Sequence, residues 1–227
     1  MNDSKAIRVL LVDDHRALAD PLAKLLAQEP DFRVIGAAYT VAEARQMLRE
    51  RVDVVLMDYA LPDGTGAEAT RAVKARWPTS HVVMLTAKDD DETVLDSIQA
   101  GADGFLSKTA TIDEVTAAVR AADAGDTLLP PSVIAKIAQR VAFAREQGVE
   151  RRHIEPLTSR ELEVLRALSE GLSTREICDR MFIAPNTLRT HVQNITGKLN
   201  VHSKLEAVAF ALRYGLVEPP TVTDRLY

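Results

Sequence analysis

Five polar residues in the first half of the chain each fall at the end of an apolar run. Asp13 and Asp14 follow Ile7–Val12, Asp58 ends the run Val52–Met57, Thr86 ends Val82–Leu85, and Lys108 ends Phe105–Leu106. If the runs are strands of one open α/β sheet, these ends converge where such sheets bind ligands. Three carboxylates brought together repel one another. They stay ionised most easily around a hard divalent cation such as Mg²⁺, which prefers oxygen ligands and keeps several waters. Lys108 adds a point positive charge suited to a phosphoryl oxygen, and Thr86 adds a hydroxyl donor. The chemistry that suits this set is phosphoryl transfer onto a carboxylate. Asp58 is the best acceptor, being central and alone on its strand. No glycine-rich phosphate loop occurs, so the donor is expected to come from elsewhere. An acid at a strand end is by itself an ordinary turn or cap residue, so the reading rests on the five together. Asp89-Asp90-Asp91 is read differently, as a solvated loop and a helix start, where acids favour the helix dipole.

The elements that must position these residues follow from hydropathy. Apolar runs at 7–12, 32–38, 52–57, 82–85 and 105–106 alternate with amphipathic stretches near 16–28, 41–50, 67–76, 92–100 and 111–123. Near-continuous apolar runs are expected of strands buried on both faces of a parallel sheet. Five strands alternating with five helices predict a doubly wound α/β fold. Pro130-Pro131 then interrupts the chain. A further helix is expected over 133–142, followed by a polar stretch to Pro156. The domains expected are 1–125, a linker with one helix over 126–156, and 157–227.

The last part reads as four helices without a strand. Thr158-Ser-Arg-Glu161 and Ser173-Thr-Arg-Glu176 carry capping-box spacing, with Gly171 between the two helices. A third helix near 185–199 carries Leu188, Val192, Ile195 and Leu199 as one buried stripe, and a fourth runs from Ser203 to Tyr214. Opposite the stripe lie Arg189, Thr190 and Gln193. An arginine pairs bidentately with guanine, and a glutamine with adenine, from a helix in the major groove. Thr187, Asn194 and Lys198 are placed to reach phosphates. An exposed Arg or Gln on one helix is by itself an ordinary solvated face. His191 and His202 are expected to pack or hydrogen-bond locally, and Cys178 to be a small core residue.

The segments LLVDD (10–14), MDYALPDGTG (57–66), MLTA (84–87) and GADGFLSK (101–108) resemble a response-regulator receiver domain over about the first 125 residues. The resemblance implies that Asp58 is the phosphoacceptor and that Asp13, Asp14, Asp58 and the backbone carbonyl of Ala60 hold Mg²⁺. It implies that Thr86 and Lys108 contact the phosphoryl group and that Phe105 is the aromatic switch. Thr109 stands where receivers often carry proline, and a cis bond before a non-proline residue costs ~3 kcal/mol. LTSRELEVLRALSEGLSTREICDRMFIAPNTLRTHVQNITGKLNV (157–201) resembles the LuxR-type helix-turn-helix. Together the two resemble the NarL/FixJ family. That implies a sensor histidine kinase as partner, double-stranded promoter DNA as target, base contacts from Arg189, Thr190 and Gln193, and a homodimer on DNA aided by the Ser203–Tyr214 helix. Ala184 replaces the frequent serine cap of the recognition helix, a loss of ~1 kcal/mol that Pro185 partly offsets. Leu188-Arg189 replace the commoner Val-Lys, and Cys178 the usual Ala.

Composition fits this reading. The chain has 227 residues, 46% hydrophobic and 27% charged, which excludes disorder or collagen-like repeats as a description of the whole. At 4% aromatic, a base-stacking platform is not expected. One cysteine and no leader or membrane-spanning run suggest a cytoplasmic protein. Residues 151–227 hold 11 Lys/Arg and 9 Asp/Glu, so the 28 basic and 33 acidic residues of the whole leave 17 and 24 for residues 1–150. An acidic first part and a mildly basic second part suggest different partners. The expected function is transcriptional regulation switched by phosphorylation of Asp58, and not enzymatic turnover. Two rivals stay open. One is an Asp-dependent phosphohydrolase, although Ala60 occupies the position where such enzymes usually carry their second Asp. The other is a receiver with a protein-interaction output module.

Overall fold

The structure, a computed structural model, describes residues 6–86, 91–126 and 156–217. The chain divides into two compact units, Met1–Pro130 and Pro131–Tyr227. The helix expected over 133–142, most of the linker, and Asp89-Asp90 lie outside the described residues.

In the first unit, strands β1 (Ile7–Val12), β2 (Phe32–Ala38), β3 (Val54–Asp58), β4 (His81–Thr86) and β5 (Gly104–Ser107) form one parallel sheet in the order β2-β1-β3-β4-β5. Helices α1 (Arg16–Leu26), α2 (Val41–Met47), α3 (Gly66–Arg76), α4 (Asp91–Gln99) and α5 (Ile112–Asp123) connect them. The strand order reverses beside β1, which puts the switch point of the fold between the carboxyl ends of β1 and β3. The register brings Val12 beside Met57, Asp58 beside Leu85, and Thr86 beside Ser107, so the polar strand ends lie side by side. Residues 9–12 of β1 and 54–57 of β3 are apolar on both faces because both faces are covered. Val9, Leu11, Val54 and Leu56 pack in one cluster with Leu26 of α1 and Val115 and Val119 of α5. Leu10, Val55 and Met57 alternate with them and are equally buried, as are Val73 of α3 and Ile98 of α4. Each such side chain contributes about 1.5–3 kcal/mol by leaving water.

Threonine starts three of these helices. Thr40, Thr65 and Thr111 each accept a hydrogen bond from the backbone N–H three residues on, and Thr111 with Glu114 completes a capping box. α2 ends at Met47, three residues short of the sequence expectation.

The second unit contains α6 (Ser159–Ser169), α7 (Thr174–Met181), α8 (Pro185–Leu199) and α9 (Lys204–Tyr214). Both expected capping boxes are made, at Thr158/Glu161 and Ser173/Glu176. Leu165, Ile177, Leu188, Ile195 and Leu205 form its buried centre, and Cys178 is buried beside them. The turn from α7 to α8 is three residues long and begins with Phe182 in the left-handed region (φ 53°), a conformation that disfavours a bulky side chain. A short turn between two packed helices is the helix-turn-helix unit.

Candidate functional site

The carboxyl ends of β1, β3, β4 and β5 meet as the strand-end argument requires. Lys108 Nζ lies 2.8 Å from Asp13 Oδ2 and 2.7 Å from Asp58 Oδ2, so one ammonium bridges the two acids. Asp13 is completely buried, Asp58 nearly so, and Asp14 is at the rim. The Tyr59 backbone N–H donates to Asp58 Oδ1 at 2.8 Å. The Lys108 N–H donates to the Thr86 carbonyl at 2.8 Å, which ties the end of β5 to the end of β4. Thr86 and Phe105 are both buried on adjacent strands. Ala60 lies two residues past Asp58, in a two-residue antiparallel ladder that pairs Ala60 with Thr65.

Burial works against charge at this site. It pushes the Asp58 carboxyl above its ordinary range. The Lys108 ammonium and the Tyr59 N–H oppose that rise, and the Asp13 charge adds to it. Burial also opposes the Lys108 charge, but Asp13 and Asp58 outweigh it and raise the amine's pKa. Asp13 Oδ2 and Asp58 Oδ2 are ion-paired with Lys108, and Asp14 Oδ1 lies 2.8 Å from His15 Nδ1, yet each of these oxygens keeps a second lone pair. Three buried carboxylate oxygens with lone pairs to spare fit a hard cation.

Several residues that build the site carried no separate signal in the sequence. Gly66 is the first. A Cβ at Gly66 would stand 2.1 Å from the Asp58 carbonyl oxygen, so only glycine lets α3 begin against the end of β3. Its N–H donates to the Tyr59 carbonyl at 2.7 Å. Asp63 is the second. Its carboxylate accepts from the N–H groups of Val41 (2.7 Å) and Ala42 (2.9 Å), anchoring the Ala60–Thr65 loop to the start of α2. Those two N–H groups hold the Asp63 carboxyl below its usual range. His15 is the third. Its Nδ1 lies 2.8 Å from Asp14 Oδ1. The loop after Lys108 closes without proline or a cis bond, because Ser107 Oγ pairs with Thr109 Oγ1 at 2.7 Å and accepts from the Thr109 N–H.

In the second unit, the stripe Leu188, Val192, Ile195 and Leu199 is buried, while Thr187, Arg189, Thr190, Gln193 and Asn194 are exposed on the other side of α8. Ala184 caps the helix without a side-chain bond, and Pro185 fills the first position. Lys198 is placed differently from its expected companions. Its Nζ lies 2.7 Å from Glu161 Oε2, and Glu161 is buried while accepting the Thr158 N–H in its capping box. Lys198 is therefore engaged in joining α8 to α6. His191 is half-buried. His202 is exposed, and its backbone N–H donates to Glu206. Among the described residues no helix is long and apolar enough to cross a membrane.

Comparison with known proteins agrees with both halves. Residues 9–120 match the response regulator receiver domain family, and residues 155–211 match the luxR family of bacterial regulatory proteins. The chain is 37% identical over 212 residues to the transcriptional regulatory protein LiaR of Bacillus subtilis, covering 93% of this chain and 99% of that protein. It is 35% identical over 215 residues to the DNA-binding transcriptional activator DevR/DosR of Mycobacterium tuberculosis, covering 94% and 98%. A crystal structure of a LuxR-family two-component response regulator from Aurantimonas sp. superposes with a TM-score of 0.54 at 29% identity, covering 61% of this chain and 99% of that one. The chain thus belongs to the two-component response regulators that join a receiver domain to a LuxR-type DNA-binding domain.

Proposed function

We propose that Asp58 accepts a phosphoryl group from a partner histidine kinase, and that this event controls DNA binding by α8. The observation that carries the reading is the Asp13–Lys108–Asp58 arrangement at the switch point of the sheet. A carboxylate oxygen of Asp58 attacks phosphorus, the donor imidazole leaves with the bonding pair, and an acyl phosphate remains. Asp58 Oδ1 is held by the Tyr59 N–H, so Oδ2, beside Lys108, is the oxygen that carries the new group. Lys108 then meets phosphoryl oxygens in place of a bare carboxylate. The carboxylates of Asp13, Asp14 and Asp58 with the Ala60 carbonyl would hold Mg²⁺, which when bound offsets charge on the phosphoryl oxygens. Thr86 turns toward the phosphoryl group and Phe105 repacks behind it. This biases the molecule toward a form that binds DNA as a homodimer.

On the DNA, Arg189, Thr190 and Gln193 meet base edges while Thr187 and Asn194 touch phosphates, all five being exposed on one helix. Lys198 can join them only by giving up or sharing its Glu161 partner. The site acts in the cytoplasm, as one turnover per activation and not as a multiple-turnover hydrolase. Ala60 leaves the position two residues beyond Asp58 without the second acid such a hydrolase would use.

The test is binding to sheared genomic DNA with and without a small acyl-phosphate donor and Mg²⁺, for the native chain and Asp58→Asn. Donor-dependent enrichment of particular fragments by the native chain alone is the expected result. Equal enrichment in all samples would remove Asp58 from control. Labelling of Asp58→Asn by the donor would remove it as acceptor.

A further inference from the structure

The residue after the two aspartates is a histidine that the proposed reaction does not use. His15 Nδ1 lies 2.8 Å from Asp14 Oδ1 and 3.2 Å from Asp13 Oδ1. The His15 backbone N–H donates to the same Asp13 oxygen at 2.9 Å, which fixes where the ring starts. One ring nitrogen and one oxygen from each of Asp13, Asp14 and Asp58 lie within 4.8 Å of one another. Adjacent ligands of an octahedral ion at about 2.1 Å stand roughly 3.0 Å apart. The two distances from His15 to the carboxylates bracket that value. At these hydrogen-bond distances the ring nitrogen and the acids stand close enough to become neighbouring corners of one coordination shell. The Asp13 and Asp58 oxygens that face Lys108, and the Asp14 oxygen that faces His15, each keep a lone pair that a bound cation would use.

A nitrogen corner changes what the site prefers. Mg²⁺ is served by carboxylate, carbonyl and water, whereas imidazole suits Ni²⁺, Zn²⁺, Cu²⁺ and iron. We propose that His15 Nδ1 is an additional side-chain ligand of the Asp13/Asp14/Asp58 cation site and tilts that site toward borderline transition-metal ions relative to Mg²⁺. The inference rests on the reading of those three aspartates as a cation site. Nδ1 faces carboxylate oxygens, which only accept, so it donates to them in this structure; on binding an ion that proton is released and the ring keeps a proton on Nε2.

The experiment uses the full chain, stripped with a chelator and then titrated calorimetrically with Mg²⁺ and with Ni²⁺. Spin-echo spectra of the Mn²⁺-loaded protein read imidazole nitrogen directly. Three proteins are compared: native, His15→Asn and Asp13→Asn. Asparagine at position 15 keeps a short polar residue suited to the start of α1 and removes the ring. The expected result is a Ni²⁺ affinity at least about tenfold weaker in His15→Asn, the scale on which even the outer partners of metal ligands count. Mg²⁺ affinity should be little changed, and the imidazole signal should be lost. An unchanged Ni²⁺-to-Mg²⁺ ratio, or an unchanged nitrogen signal, would overturn the role of His15. The remaining histidines of the five in the chain are common to both proteins and cancel in that comparison. Asp13→Asn separates the two layers of the argument. If it abolishes binding while His15→Asn leaves the ratio alone, only the histidine inference falls. If it leaves binding intact, the cation site itself is misplaced and both fall.

Discussion

The two units solve the problem of presenting charge in opposite ways. The receiver holds the charges of its proposed phosphoryl site inside, at the ends of three different strands, each balanced by a neighbour. Asp13, Asp58 and Lys108 come from the ends of β1, β3 and β5 and are all mostly buried. The DNA-binding unit holds the side chains proposed to read bases outside, on one helix, on the face away from its core. Arg189, Thr190 and Gln193 are exposed while the opposite face of α8 carries the fold. Buried charges make a receiver that is sensitive to the chemical state of one carboxylate, because little water is present to screen a change. Exposed side chains on one helix face can vary without disturbing the core behind them.

The sharpest way to break this contrast is to remove one buried charge in each unit. Asp103, at the start of β5, sits against Lys74 Nζ at 2.6 Å, accepts the Val82 N–H at 2.8 Å, and lies 3.6 Å from His81. Lys74 is itself largely buried. Asp103→Asn leaves that ammonium without its counter-charge, and the expected loss is about 3–5 kcal/mol by urea unfolding. In the second unit Glu161→Gln keeps an acceptor for the Thr158 N–H and removes only the counter-charge of Lys198, with an expected loss of about 1–3 kcal/mol. A larger loss at Glu161 than at Asp103 would invert the comparison.

The same pair gives a pH dependence. Burial alone would raise the Asp103 carboxyl, but Lys74 and His81 outweigh it and hold it well below the usual carboxylate range. The unfolded chain therefore takes up the proton first. The stability contributed by ionised Asp103 is fully present above about pH 4, the unfolded value, and is lost progressively as pH falls below it. Acid unfolding of the native chain should be steeper there than that of Asp103→Asn.

Gly66→Ala comes next in size. The added methyl meets the Asp58 carbonyl oxygen at 2.1 Å, so the strand or the helix must move. The expected cost is about 1–3 kcal/mol, as for other forced insertions. Labelling of Asp58 by a small acyl phosphate should fall with it. Affinity for random DNA should not change, because the clash is confined to the receiver. Unimpaired labelling would mean that α3 need not abut β3 for phosphoryl transfer.

The contrast also governs what could be read from the sequence. The strand ends were legible because a parallel sheet sends every carboxyl end to one side, so hydropathy alone places Asp13, Asp14, Asp58, Thr86 and Lys108 together. The exposed face of α8 was legible because a helix separates its faces by phase. What escaped detection depends on close approach between segments. That Gly66 faces a carbonyl, that Asp63 reaches the start of α2, and that Lys198 finds Glu161 across 37 residues all follow from packing distance. Periodicity carries no such information. His15 escaped for another reason, since a lone histidine beside two acids has many ordinary roles until its distances are known.

Arg189→Ala tests the exposed side of the contrast. The expected loss is about 1–3 kcal/mol of binding to the preferred sequence, with much less on random DNA. Its effect on folding should stay within about 0.5 kcal/mol, because its side chain is exposed and on the face away from the core. Equal loss on both DNAs would make Arg189 a phosphate contact.

The smallest effect separates stability from binding at a single position. Ala184 has the extended backbone of a helix cap (φ −74°, ψ 152°) but supplies no side-chain acceptor, unlike Thr158, Ser173 and Ser203. Ala184→Ser should therefore stabilise the second unit by about 0.5–1 kcal/mol. It should leave DNA affinity nearly as it was, because the recognition face is already formed. Ala184→Asp should stabilise the helix at least as well, since a carboxylate also favours the positive end of the dipole. Close to a phosphate backbone, however, that charge repels, so the aspartate variant should bind DNA more weakly and with an altered salt dependence. Thermal unfolding and a salt series on both variants decide the matter. If Ala184→Asp binds DNA as tightly as Ala184→Ser, the start of α8 does not approach the phosphates, and the orientation of the recognition helix proposed above is wrong.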